Sequence, residues 1–166
     1  MTIPDNTLLY PRIISDQAFS YCTKLVLKFN TNPPSLITSI GKESFYDSAV
    51  QLTNLPPNLQ IIGSNAFAWH GSSNTDSITI DTLPASLHTV SPGVFQFRRF
   101  NNSNNLLVIQ AERPENIKID STAFYSISDL TTITVPWDLA EAYQYEASQA
   151  DFAFPAGIAT GWSYSG

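Results

Sequence analysis

Five phenylalanines in this 166-residue chain share one local setting. Each follows a branched aliphatic residue by five positions, and successive phenylalanines are 26, 22, 28 and 29 residues apart. The five pairs are Ile14 and Phe19, Ile40 and Phe45, Ile62 and Phe67, Val90 and Phe95, and Ile119 and Phe124. A pattern that recurs every roughly 20 to 30 residues is typical of a solenoid, whose units bury their apolar faces only against one another. The sequence therefore predicts stacked coils with one phenylalanine in each.

Turn and strand signals surround each phenylalanine in a constant order. The position after the aliphatic residue holds a turn or capping residue, namely Ser15, Gly41, Gly63, Ser91 or Asp120. We expect the residues from there to the phenylalanine to form a short helical turn. Apolar residues then alternate as in a short strand, at Leu25/Leu27, Ile78/Ile80, Leu107/Ile109 and Ile133/Val135.

Prolines mark the point where each strand is expected to end, because a strand end can dispense with a backbone donor. They are Pro56, Pro84, Pro114 and Pro136. A proline also precedes an aliphatic residue by three positions in four units, at Leu36, Leu59, Leu87 and Ile117. Stacking these units predicts a narrow parallel sheet along one face.

This pattern resembles the BspA-type leucine-rich repeat, in which an aliphatic-glycine turn precedes Ala-Phe. In that repeat, a cysteine lies three residues after the phenylalanine and a leucine three residues after the cysteine. A Leu-Pro pair then ends the strand. The matching residues are Ile62-Gly63 with Ala66-Phe67, Phe19 with Cys22 and Leu25, and Leu83-Pro84. The resemblance covers roughly residues 10–136. It implies an α/β solenoid, a leucine-rich-repeat-like right-handed coil with a narrow parallel sheet, short helical turns and a C-terminal capping helix.

Four segments follow from this interpretation. Residues 1–12 are expected to form an N-terminal cap, and residues 13–136 about five BspA-type repeats. Residues 137–150 have the spacing of a helix that would cap the last coil. Residues 151–166 form an aromatic and glycine-rich tail, which we expect to pack on the domain or on a partner.

Composition restricts the partners. Eight basic and 14 acidic residues give a net charge of −6, whereas nucleic-acid binding needs a basic face. No apolar run is long enough to cross a membrane, so neither nucleic acid nor membrane insertion is expected.

Charged residues make up only 13% of the chain, about half the usual share, which favours an extracellular surface or a virion. The first residues do not resemble a secretory signal, and a virion assembled in the cytoplasm would not need one.

Motifs of catalysis and cofactor binding were sought without success. The sequence has no Gly-x-Ser-x-Gly elbow, no zinc-ligand spacing and no glycine-rich phosphate loop. The single cysteine, Cys22, cannot form an intrachain disulfide and is interpreted as a small buried apolar residue. We therefore expect no catalytic residue, metal or cofactor.

Candidate partner-binding residues lie in three places. The best single patch is Phe97-Arg98-Arg99-Phe100, because arginine and aromatic side chains together are typical of binding hot spots. The alternative is that Phe97 and Phe100 anchor the polar insertion after them while the arginines are solvated. Trp69, which precedes His70, and Trp162 in the tail are further candidates.

Three function classes remain. The first is a non-enzymatic module that binds protein or glycan, on a cell surface or as a virion component (phage tail or capsid) that contacts the host or neighbouring subunits. The second is a scaffold or decoration subunit that docks by its C-terminal tail into a homo- or hetero-oligomer. A fragment of a bacterial surface adhesin is a variant of the first. The least favoured is a glycan hydrolase, which would need two carboxylates in a groove.

Overall fold

The computed structural model describes residues 12–27, 29, 34–71, 77–103, 106–128, 130, 132–136 and the backbone of 162–164. The expected N-terminal cap, apart from residue 12, and the expected capping helix at 137–150 lie outside these residues. The described chain forms thirteen short strands: β1 (Ile13–Ile14), β2 (Leu25–Leu27), β3 (Ser39–Ile40), β4 (Val50–Leu52), β5 (Ile61–Ile62), β6 (Ser77–Ile78), β7 (Thr82–Leu83), β8 (Thr89–Val90), β9 (Arg99–Phe100), β10 (Leu106–Ile109), β11 (Lys118–Ile119), β12 (Thr132–Val135) and β13 (Trp162–Tyr164).

The first ladder of strands confirms that the units stack. Its order is β1-β3-β5-β8-β11, and all of its pairs are parallel. The register places the aliphatic partners of the phenylalanines directly above one another, in the order Ile14, Ile40, Ile62, Val90 and Ile119. Five strands in one ladder enclose about four full turns of a solenoid.

Two further ladders show that the prediction of one narrow sheet was wrong. In one, β2 pairs with β4 and β6 with β9, and the Thr79 amide joins these pairs by donating to the Leu52 carbonyl at 2.9 Å. In the other, the order is β7-β10-β12-β13. The aliphatic pair before each turn is itself extended, so a coil contributes strands to more than one face. The eight alternating apolar residues are all buried, and seven of them lie in strands as predicted; Ile80 follows the end of β6.

The expected helical turn after each aliphatic residue was also wrong. In the first coil, alternate amides donate to the next coil: Gln17 to Lys42 at 2.9 Å, Phe19 to Ser44 at 2.7 Å and Tyr21 to Tyr46 at 2.8 Å. The amides between them close turns within the coil, as Ala18 does on Ser15 at 3.3 Å. Gln17 and Tyr21 adopt left-handed φ values of 56° and 58°, which a continuous helix does not allow. Among the described residues, the one helical segment is a 3-10 turn at Pro114–Asn116.

The predicted phenylalanine ladder is confirmed. Successive ring centroids lie 5.3, 5.1, 5.8 and 5.3 Å apart, with interplanar angles of 6°, 1°, 4° and 24°. Phe45, Phe67 and Phe95 are fully buried. Large aromatic side chains dominate the energetics of cores, so this stack of rings is the axis on which the coils are held.

One register prediction was wrong by a single residue. Leu36, which was placed in register with Leu59, Leu87 and Ile117, is 41% exposed, whereas Ile37 is buried as those three residues are. The proline three positions before Ile37 is Pro34 rather than Pro33. The prolines of the next two coils lie as expected, because Leu59 donates to the Pro56 carbonyl at 3.1 Å and Leu87 to the Pro84 carbonyl at 2.9 Å.

Candidate functional site: an aromatic stripe on the outside of the coils

A second row of rings runs along the outside of the solenoid. It consists of Tyr21, Tyr46, His70, Phe97 and Tyr125, and we call it the aromatic stripe. Its successive ring centroids are 5.7, 5.2, 5.0 and 5.8 Å apart. Tyr21, Tyr125 and Phe97 are 68%, 55% and 38% exposed. The stripe therefore offers a continuous aromatic surface with one ring from each of five coils.

The stacked turns fix the spacing of the stripe. The Tyr21 amide donates to the carbonyl of Tyr46, and the Phe97 amide donates to that of Tyr125 at 3.0 Å. These bonds tie the backbone that carries each exposed ring to the backbone of the next coil. The rings consequently repeat at the spacing of the coils.

Polar groups border the first half of the stripe and are engaged with one another. The Gln17 amide donates to Glu43 Oε2 at 2.8 Å, and Lys42 Nζ lies 3.4 Å from Glu43 Oε1. Asp47 Oδ1 accepts the backbone N–H of His70 at 2.5 Å and lies 3.5 Å from His70 Nδ1. This border presents amide, carboxylate and ammonium groups together.

Two groups of the border have shifted ionisation. The hydrogen bond from Gln17 lowers the pKa of the Glu43 carboxyl, and Lys42 acts in the same direction. Burial raises the pKa of the Tyr46 hydroxyl, and the negative charge of Asp47 adds to the effect. At neutral pH, Glu43 is therefore a hydrogen-bond acceptor and Tyr46 keeps its hydroxyl proton.

A buried arginine supports the centre of the stripe. Arg98 is fully buried, and its Nε donates to the Phe67 carbonyl while Nη2 donates to the Ser48 carbonyl at 3.0 Å. Its guanidinium carbon lies 5.2 Å from the centre of the Trp69 ring. Arg98 belongs to the fourth coil and thus bonds to the backbone of both the third and the second coil. It does so where the third coil leads into the insertion that begins near Gly71.

An open cavity of about 300 Å³ lies beside this support. Trp69, His70, Gly71 and Phe97 line it. Trp69 itself is buried, and Gly71 lies so close to it that an added Cβ would come within 2.5 Å of the indole ring. His70 and Phe97 are therefore the rings that a bound group could reach from solvent.

The residues predicted as a partner-binding patch do not form one surface. Phe97 belongs to the stripe and Arg99 is exposed on β9. Arg98 and Phe100 are buried, and Phe100 packs against the rings of Phe95 and Phe124 at 5.6 and 6.1 Å. Neighbouring residues of this segment point to opposite sides, so the structure brings only half of the patch to the surface.

The two tryptophan candidates have different positions. Trp69 lies beneath the middle of the stripe, where it contacts Arg98. Trp162 begins β13, whose backbone pairs with β12 opposite Ile133. Its side chain lies outside the described part of the structure.

The three tyrosines of the stripe were not predicted from the sequence. The stripe residues follow their ladder phenylalanines by two, one, three, two and one positions, so no fixed offset connects them. The available signal was looser: every unit carries an aromatic or imidazole ring within three residues after its phenylalanine.

The described residues contain no group of three or more His, Cys, Asp or Glu side chains placed to hold a metal ion. They also contain no helix that is both long and apolar enough to cross a membrane.

In comparison with known protein families, residues 2–102 match the BspA type Leucine rich repeat region in six copies. The chain belongs to this family. No curated protein and no solved structure matches it. The structure extends the repeats beyond the matched region, because β11 and β12 continue the ladders with the same register. Leucine-rich repeats of this kind form protein-binding modules that are typically not enzymes.

Proposed function

We propose that this protein is a non-enzymatic binding module that contacts its partner through the aromatic stripe, as part of an extracellular surface or of a virion such as a phage tail or capsid. The observation that carries the proposal is the continuous row of rings across five coils, in which Tyr46 is half-buried and the other four rings are exposed. Exposed aromatic patches mark interaction sites on soluble proteins, and tyrosine is enriched among residues that dominate binding energy.

The core does not explain the stripe. The inner phenylalanine ladder already fills the space between the coils, with Phe45, Phe67 and Phe95 fully buried. Tyr21 and Tyr125 keep more than half of their surface in water, so they add little burial to the fold. The first and the last coil of the stripe each carry a tyrosine ring that folding leaves exposed. A role in binding explains these two rings better than a role in the core.

The alternative, a scaffold subunit that docks by its tail, has less support. The tail strand β13 already pairs with β12 of the same chain, with Ile133 opposite Trp162 and Val135 opposite Tyr164. This pairing occupies one edge of β13 and holds the strand against its own chain, so part of the tail is already used within the fold. This pairing favours the stripe over the tail as the contact surface.

The test is a binding assay on intact surfaces. Fluorescently labelled protein is incubated with a panel of bacterial and animal cells and measured by flow cytometry. The stripe variant carries Tyr21→Asn with Tyr125→Ser; asparagine is chosen because it tolerates the left-handed backbone at position 21. The control carries Ile13→Ser with Leu36→Ser, which are also exposed but off the stripe.

We expect wild type and control to bind at least one cell type and the stripe variant to bind at least tenfold more weakly. Circular dichroism confirms that all three proteins are folded. Equal binding by the stripe variant and the control contradicts the proposal, as does a wild type that binds none of the cells.

A further inference from the structure

We infer that the aromatic stripe binds a linear, uncharged glycan, a chain of pyranose sugars that lies along the solenoid axis. This inference rests on the proposed function and specifies the ligand of the same site. Three observations support it: the balance of charge beside the stripe, the regular spacing of its rings, and the open cavity at its centre.

The charges beside the stripe favour a neutral ligand. The carboxylates of Glu43 and Asp47 are already engaged by Gln17, Lys42 and His70. The ammonium group of Lys42 is exposed on the same border, next to Glu43. A strongly cationic or anionic ligand would meet charges of both signs within a short distance, and gain little net attraction. An uncharged ligand with many hydroxyls meets no such conflict.

The chemistry of the border and the rings suits a sugar. Successive rings of the stripe are tilted against one another by 73°, 33°, 72° and 78°, so the stripe offers a mixture of ring faces and edges. The face of an aromatic ring carries negative charge density, which attracts the C–H groups on the apolar face of a pyranose. Sugar hydroxyls can both donate and accept hydrogen bonds, and the border offers a carboxylate acceptor at Glu43 together with the hydroxyls of the stripe tyrosines. Alternation of rings and polar groups therefore matches the amphipathic surface of a sugar.

The ring spacing favours a sugar polymer over an extended peptide. The five rings repeat in steps of 5.0 to 5.8 Å. Side chains on one face of an extended peptide recur every two residues, or about 6.6 Å, so a peptide loses register with the rings within a few coils. The repeat of an extended chain of pyranose rings is close to the step of the stripe. A repeating ligand can thus place one unit against each coil.

The cavity at the centre of the stripe would hold one unit of the chain more deeply. Its volume of about 300 Å³ is at the lower end of pockets that bind small molecules. Phe97 supplies an aromatic wall and His70 a polar one. We expect this subsite to contribute most to affinity, and the tyrosines at both ends to extend the contact.

The experiment is isothermal titration calorimetry with defined oligosaccharides, from disaccharides to hexasaccharides. The neutral probes are the β-1,4-linked oligomers of glucose, of N-acetylglucosamine and of mannose. The charged probes are the oligomers of galacturonate and of glucosamine, with a hexalysine peptide as the peptide control. The proteins are wild type, Tyr125→Ser, Tyr21→Asn, and the off-stripe control Ile61→Ala, which replaces an exposed side chain on β5.

We expect at least one neutral hexasaccharide to bind, with affinity that rises as the oligomer lengthens from two to five sugars. Each tyrosine variant should bind it at least fivefold more weakly, and Ile61→Ala should bind it like wild type. The ligand class is overturned if the neutral sugars fail to bind, if only the charged probes or the peptide bind, or if the tyrosine variants bind normally. If the ligand class is overturned but the cell assay still shows stripe-dependent binding, only the ligand class is wrong. If the cell assay shows no such binding either, the proposed function is wrong as well.

Discussion

At the level of single residues, the rings of the ladder and the rings of the stripe have opposite surroundings. Phe67 is fully buried in the ladder, whereas Tyr125 is 55% exposed on the stripe. We expect Phe67→Ala to lower the free energy of unfolding by about 3–5 kcal/mol, as for buried aromatic residues in general. Tyr125→Ala loses one edge contact with Phe97 and should lower it by about 1 kcal/mol. Denaturation in guanidinium chloride measures both, and equal losses would contradict the assignment of ladder and stripe.

Arg98 provides a second prediction at this level. Its guanidinium spans two carbonyls, those of Phe67 and Ser48, which a single ammonium group cannot reach with the same geometry. We expect Arg98→Lys to destabilise the fold by about 2–3 kcal/mol, because a buried charge then loses hydrogen bonds. The matched control is Arg99→Lys at the exposed neighbour, which should change stability little. An Arg98→Lys protein as stable as this control would show that the two carbonyl bonds contribute nothing.

Tyr46 gives stability a dependence on alkaline pH. Burial raises its pKa above the ordinary 10.0, so the folded state favours the protonated form. The corresponding stabilisation is complete below pH about 10, the unfolded value, and is lost as pH rises through the folded pKa. We expect the free energy of unfolding to fall above pH 10, and to fall less in Tyr46→Phe than in wild type. Urea denaturation at pH values below and above 10 measures the difference; identical pH profiles would contradict it.

How far the sequence predicts single residues depends on how strictly the core constrains them. The ladder phenylalanines could be found because each must project into the same space at the same point of its coil, which fixes the offset from the aliphatic residue. The stripe rings lie outside, where several positions of a turn can supply a ring, so their offsets vary. Arg98 was expected in solvent because arginine is rarely buried; only the path of the third coil creates its site.

At the level of elements, the glycines that follow β3 and β5 permit close contact between turns. A Cβ at Gly63 would lie 2.6 Å from the Lys42 backbone nitrogen and 2.7 Å from the Gly41 carbonyl carbon. The fourth coil has Ser91 at the same place, so a Cβ is accommodated there.

These contacts make Gly63→Ser a sharp test of turn stacking. The new side chain would force the second and third coils apart, so we expect a loss of stability of about 2 kcal/mol or more. The matched control is Ser91→Ala in the fourth coil, where a Cβ is already accommodated, and it should change stability by less. Thermal unfolding followed by circular dichroism compares the two variants. If Gly63→Ser melted at the wild-type temperature, the stacked turns could not be as close as described.

The elements show where periodicity suffices and where it does not. Strands were predictable from alternating residues such as Leu25 and Leu27, because one face of each is buried. The turns were not, because the residues after Ile14 satisfy the local signals of a helix start equally well. Their hydrogen bonds are decided by the neighbouring coil, as in the donation from Gln17 to Lys42, and single-coil signals do not contain that information.

At the level of the whole molecule, stability and binding both arise from repetition. Each coil contacts mainly its neighbours, so the inner ladder sums many similar contacts into one core. The same stacking brings one exposed ring from each coil into a row. Any change in register would therefore disturb the core and the proposed binding surface together.

Disulfide trapping tests this register most directly. Val26 of β2 lies opposite Gln51 of β4, and both are exposed. Neighbouring strands are about 4.8 Å apart, within the range that a disulfide can bridge. In a Cys22→Ala background, we predict that Val26→Cys with Gln51→Cys forms an intrachain disulfide under mild oxidation. Mass spectrometry of the unreduced protein detects the bond. The control pair, Val26→Cys with Thr53→Cys, is two residues out of register and should not form it. Efficient bridging of the shifted pair without bridging of the aligned pair would contradict in-register stacking of the coils.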